Sequence, residues 1–216
     1  MTTPSDVVQE HAPLLAMIVS ALKHGIDHAH VYAEWQDEDI DRALAPALVR
    51  KGAKRYLFEH GEAAEDEEDG ATDVSEVEFQ AEHLPNLGLC IEANGVRIRI
   101  LRSDRGNMPV AGKSRRRQEY YAQMLPLFDP VGVGITADIA TPLNLVLHWN
   151  PDTDYNLDTV YLGCPKKGGE TRASVEAHWD ELIWRKHEIT SDGTQVEAEV
   201  TDLSEIRLET ATGTDQ

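Results

Sequence analysis

Eight cations crowd residues 97–117, facing a single acid, in a chain whose formal charge is −19. They are Arg97, Arg99, Arg102, Arg105, Lys113, Arg115, Arg116 and Arg117; the acid is Asp104. Groups of this kind bind carboxylates and phosphates, arginine through a planar fork of donors and lysine as a point charge. Residues 103–124 read S-D-R-G-N-M-P-V-A-G-K-S-R-R-R-Q-E-Y-Y-A-Q-M. There Arg116 lies four residues before Tyr120, and Arg117 four before Tyr121, so a helix would set guanidinium and ring on one face. The candidate binding residues are therefore Arg97, Arg99, Arg105, Lys113, Arg115, Arg116, Arg117, Tyr120 and Tyr121. Their ligand would be an acidic protein, the chain's own acidic loop, or nucleic acid with a tyrosine as stacking plate. The net charge of the chain works against nucleic acid and favours a protein partner.

The G-K-S step in this stretch invites comparison with a phosphate-binding P-loop. That motif needs four residues between its glycines, so that the backbone N–H groups converge on phosphate. Gly106 and Gly112 are separated by five, and Asn107 stands where a glycine is required. The preceding strand also reads as half of a tight hairpin and not as part of a βαβ unit. The P-loop reading fails.

Metal and catalytic patterns are equally thin. His24, His28 and His30 include an i, i+4 pair, but Gly25 is expected to end the helix between them, and no HExxH pattern accompanies them. His148, Cys164 and His178 could act as ligands if strands brought them together. Asp152, Asp154 and Asn156 have the alternate spacing of a calcium loop without its glycine or its twelfth-position glutamate. There is no G-x-S-x-G elbow and no cysteine with a nucleophile signature. No catalytic set, cofactor or metal follows from these residues, and the balance leans away from an enzyme.

The elements that must position the basic stretch are more legible. Val7, Val8, Leu14, Leu15, Ile18, Val19 and Leu22 recur at the helical period, with Pro13 marking a break or a fresh start. A second helical region follows Asp37, with Ile40, Leu44, Leu48, Leu57 and Phe58 as its stripe, divided at Pro46 and Gly52. Between Glu59 and Glu82 lie eleven acids and no lysine or arginine, which is linker or loop composition. Residues 87–102 form a β-hairpin about Asn94-Gly95, since a type I′ turn needs positive φ at both central positions. Its register pairs Ala93 with Val96, Glu92 with Arg97 and Ile91 with Ile98. Ser114 is placed to cap a short helix reaching about Met124. Residues 143–149 and 157–164 read as paired strands, 174–184 as a short helix or strand, and a last hairpin is expected about Asp192-Gly193.

The fold class expected is α+β: N-terminal helices followed by a mainly antiparallel sheet with one short helix inserted. The organisation expected is a helical region 1–60, an acidic linker 61–82, a sheet domain 83–208 and a flexible tail 209–216. Two cysteines without a CxxC, no targeting signal and no span long enough for a bilayer predict a cytoplasmic protein without a membrane partner.

The segments G-K-S-R-R-R-Q-E-Y-Y-A-Q and L-N-L-V-L-H-W…Y-L-G-C-P-K-K-G-G resemble those of uncharacterised proteins encoded beside helix-turn-helix repressors. The resemblance covers residues 89–184 and implies a regulatory, toxin–antitoxin-like or defence-type partnership. The leading expectation is a non-enzymatic regulatory protein that binds a protein partner. The alternative is a nucleic-acid-directed effector, a toxin or nuclease, acting through residues 103–124.

Overall fold

The computed structural model describes residues 4–61, 79–84, 88–103, 106–123, 142–171 and 174–186. Three helices come first: α1 (Pro4–Glu10), α2 (Ala12–Gln36) and α3 (Ala45–Gly61). Pro13 falls in the first turn of α2, where an N–H would have no intrahelical partner, so the ring starts a helix instead of breaking one. Contrary to expectation, α2 does not end at Gly25. It runs on to Gln36 and stops where Asp37 takes a left-handed conformation (φ 55°). Gly52 likewise lies inside α3 and does not divide it, while Pro46 sits in its first turn. Both glycines are interior because the two helices meet there backbone to backbone: a Cβ on Gly52 would stand 2.8 Å from the Gly25 Cα. Close approach offsets a helix-propensity cost of about 1 kcal/mol per glycine.

Six strands form one sheet in sequence order: β1 (Gln80–Leu84), β2 (Gly88–Ala93), β3 (Val96–Arg102), β4 (Leu143–Pro151), β5 (Leu157–Lys167) and β6 (Glu176–Arg185). Every pairing is antiparallel except β3 with β4, which run parallel. The β2–β3 register is the one expected, with Glu92 opposite Arg97 and Ile91 opposite Ile98. Asn94 and Gly95 both have positive φ (44° and 77°), as the turn demands. The segment 174–184, expected as a short helix or strand, is strand from Glu176 onward. Among the described residues one short helix, α4 (Arg115–Tyr121), lies between β3 and β4, so the basic stretch occupies a strand–helix–parallel strand crossover after all. The hairpin and the crossover share β3. β1 begins at Gln80, within the range expected to be linker.

The sheet has two covered faces. On one, Leu89, Ile91, Ile98, Ile100, Leu145, Leu147, Trp149, Val160, Leu162 and Cys164 pack with the buried positions of α1–α3 in a single hydrophobic cluster. Burying side chains such as these contributes about 1.5–3 kcal/mol each. On the other, Val146 lies under Met108, Ala111 and Tyr121. Gly163 in β5 permits this second layer: a Cβ there would be 2.8 Å from the Asp180 carboxylate and would overlap the Met108 methyl. Among the described residues no helix is long and apolar enough to cross a membrane. The acidic run of residues 62–78, the last expected hairpin and the tail lie outside the described residues.

Candidate functional site

Period-two alternation along β3 sorts its arginines. Arg97 and Arg99 project to the α4 face, while Arg102 shares the parity of Ile98 and Ile100 and points to the helical face. Arg97 donates through two nitrogens to a Glu92 carboxylate oxygen, at 2.9 and 2.6 Å, in the cross-strand pair that the hairpin register creates. Arg99 lies beneath α4, its guanidinium 5.9 Å from the centre of the Tyr120 ring. Burial, and then the charge of Arg117, push its pKa down. The Nε–H groups of Arg99 and Arg117 are both buried, and neither has a hydrogen-bond partner among the described residues. Two guanidiniums are thus held within one another's field with donors unspent.

The helix itself is short because its start is capped and its end is used for packing. Ser114 Oγ accepts from the Arg117 N–H at 3.4 Å, the cap expected, but the helix ends at Tyr121 and not near Met124. Arg115 pairs with Glu119 one turn on, at 2.8 Å, with both side chains largely exposed. Lys113 and Arg116 are exposed. Arg105 lies outside the described residues.

The tyrosines belong to the fold. Tyr121 is fully buried, and its hydroxyl donates to the Pro109 carbonyl at 2.7 Å. The Tyr120 hydroxyl sits between the carbonyls of Arg97 and Leu145, 2.7 Å from the latter, and ties α4 to the β3–β4 boundary. Burial raises the pKa of both phenols. The Tyr121 ring is buried and the Tyr120 ring half-buried, with the Arg99 guanidinium lying over the latter. Gln123 completes the attachment: its side chain accepts from the Asn144 N–H at 3.0 Å and donates to the Pro165 carbonyl at 3.0 Å. The glycine loop before α4 is stitched down too, since the Gly112 N–H donates to the Gly169 carbonyl at 3.1 Å. That amide is therefore spent on the protein's own backbone.

The histidine and cysteine candidates do not converge. His148 is fully buried on the α4 face, stacked on Tyr161 with centroids 5.0 Å apart, and its Nε2 lies 2.9 Å from Asp180 Oδ1. A carboxylate can only accept, so that nitrogen carries the proton. Cys164 belongs to the opposite, helical face, and burial pushes its thiol up to about 12. His178 is exposed. Among the described residues no group of three side chains could hold a metal, His24, His28 and His30 included. Asp152 is likewise spent as a turn former: one oxygen accepts from the Asp154 and Asn156 N–H groups and the other from Lys186, 2.8 Å away.

Sequence reasoning missed a second basic group. Arg102, Arg42 and Arg50 gather about Tyr155 on the helical side of the sheet. The parity of Arg102 with Ile98 and Ile100 was a legible hint; the approach of Arg42 and Arg50 was not, since they arrive from around α3.

No protein-family model matches this chain, and neither a curated protein nor a solved structure does. What the basic face does is therefore read from its own residues.

Proposed function

We propose that this chain is a non-enzymatic regulatory protein that docks an acidic protein partner on the basic face made by β3 and α4. The observation that carries the reading is the Arg99–Arg117 pair, whose buried Nε–H donors are unspent while Lys113 and Arg116 stand exposed nearby. An arginine nitrogen can only donate, so the missing partner is an acceptor, and two like charges held together favour an anionic one. Full burial of Tyr121 and partial burial of Tyr120 count against the nucleic-acid alternative, which needs a free ring. The setting we propose is a toxin–antitoxin-like or defence-type pairing, the one implied by the resemblance read from residues 89–184.

The test is a tagged pull-down from native cells at low salt, comparing the natural chain with a Lys113→Glu, Arg116→Glu double variant. A stoichiometric acidic protein retained by the first and lost by the second supports the reading. Nucleic acid that co-elutes and is released by moderate salt would replace it with the effector alternative.

A further inference from the structure

A cleft of about 560 Å³ opens on the helical side of the sheet, away from α4, and is lined by Arg42, Arg102, Asp152, Thr153 and Tyr155 among others. We propose that it binds the phosphate group of a small molecule, through the Arg42, Arg50 and Arg102 guanidiniums and the Tyr155 hydroxyl. Its volume falls in the range of small-molecule sites.

Three observations converge. Tyr155 is 3% exposed, yet its hydroxyl is buried without a hydrogen-bond partner among the described residues. A buried hydroxyl left unpaired is costly, and native structures seldom leave one without a reason. The Nε–H of Arg50 is also buried and unbonded, and because it can only donate, what it lacks is an acceptor. Burial raises the pKa of the Tyr155 hydroxyl, and the charges of Arg102, Arg50 and Arg42 act against that rise, so the unpaired group faces positive charge.

The guanidiniums are held in place by contacts that leave N–H groups over. Arg42 donates to the Thr153 carbonyl at 2.8 Å. Arg102 lies over the Tyr155 ring, 5.5 Å from its centre, with only a long 3.4 Å bond to the Arg42 carbonyl. The ring is itself fixed edge-on to Trp149, centroids 6.4 Å apart. The acid in the cleft wall does not cancel this charge: Lys186 holds one Asp152 oxygen and backbone amides hold the other. Desolvation pushes the Asp152 carboxyl up, and the Lys186 ammonium with Asn156 outweigh it, holding it below the usual carboxylate range. Three guanidiniums and a hydroxyl donor match the several acceptor oxygens and the double charge of a phosphate better than a single carboxylate.

The test titrates the full chain with inorganic phosphate and pyrophosphate by calorimetry at low ionic strength, with citrate as the carboxylate comparison. One phosphate or pyrophosphate should bind per chain, and Arg102→Gln should weaken it by about tenfold, the loss of one charge-assisted contact. Tyr155→Phe should weaken it less, and Lys113→Glu with Arg116→Glu, on the other face, not at all. Arg42→Gln, in the exposed turn before α3, serves as a second variant should Arg102→Gln fail to fold. No binding up to millimolar pyrophosphate, binding indifferent to Arg102→Gln and Arg42→Gln, or citrate bound in preference would each overturn the proposal. Its fate is separate from that of the partner-docking face, which the double variant alters independently.

Discussion

Gly25 of α2 and Val49 of α3 are in backbone contact: a Cβ on Gly25 would overlap the Val49 carbonyl oxygen. Helix packing this close has no room for a methyl group, and the obstacle is main chain, which cannot swing aside. Gly25→Ala is therefore expected to destabilise the protein by about 1–3 kcal/mol or more, despite alanine's better helix propensity. Urea unfolding measures it. A stability unchanged or raised would mean that α2 and α3 do not cross at these glycines.

Alkaline pH should unfold the protein through groups that burial keeps protonated. The Tyr120 and Tyr121 pKa values are raised above their ordinary 10, and that of Cys164 from 9 to about 12, each chiefly by desolvation. Below pH 9 all three are neutral whether the chain is folded or not, and their contribution is fully present. Above that the unfolded chain sheds protons the native chain keeps, so stability falls as pH rises. Tyr120→Phe should flatten this alkaline limb while costing about 1–3 kcal/mol at neutral pH, because it leaves carbonyls without a donor. Stability followed across the alkaline range decides it; a flat profile in the natural chain would contradict the burial of these groups.

Asp180 gives His148 its one hydrogen-bond partner among the described residues. With Nε2 on the carboxylate, the buried Nδ1 has no described partner. Asp180→Ala would leave both ring nitrogens unpaired, at a cost of about 1–3 kcal/mol. Asp180→Asn, which retains an acceptor, should cost less. Equal losses in the two variants, read by thermal unfolding, would assign the effect to packing against Met108 and Gly163 instead.

Lys113 and Arg116 should be silent in stability. Both are exposed, and substitutions at such positions usually change stability by no more than about 0.5 kcal/mol. The double charge reversal is thus expected to keep its unfolding midpoint while losing an acidic partner. A large shift in midpoint would show that the two side chains serve the fold.

Much of the fold was legible because it rests on local chemistry. Asn94-Gly95 fixed a turn, the turn fixed the Glu92–Arg97 register, and alternation on either side fixed which face is apolar. Ser114 and Pro13 marked helix starts for reasons confined to one helical turn. The errors came where a distant element decided the outcome. Gly25 and Gly52 look like helix ends in isolation, and only the other helix, arriving at backbone distance, makes them interior.

For the candidate site the division is similar. The amino-acid sequence by itself determined that positive charge concentrates on β3 and α4, because charge is a property of composition, and that Arg97 and Arg99 share a face, because strand parity is geometric. Tertiary structure alone decided where the Tyr120 and Tyr121 hydroxyls go. Four residues from an arginine, a tyrosine has no local rule that names its hydrogen-bond partner. Those partners are the Leu145 and Pro109 carbonyls, reached over the apolar surface around Val146. It likewise decided that Arg42 and Arg50 meet Arg102 about Tyr155, since no local rule relates a helix arginine to a strand end about fifty residues or more away until the core brings α3 against the sheet.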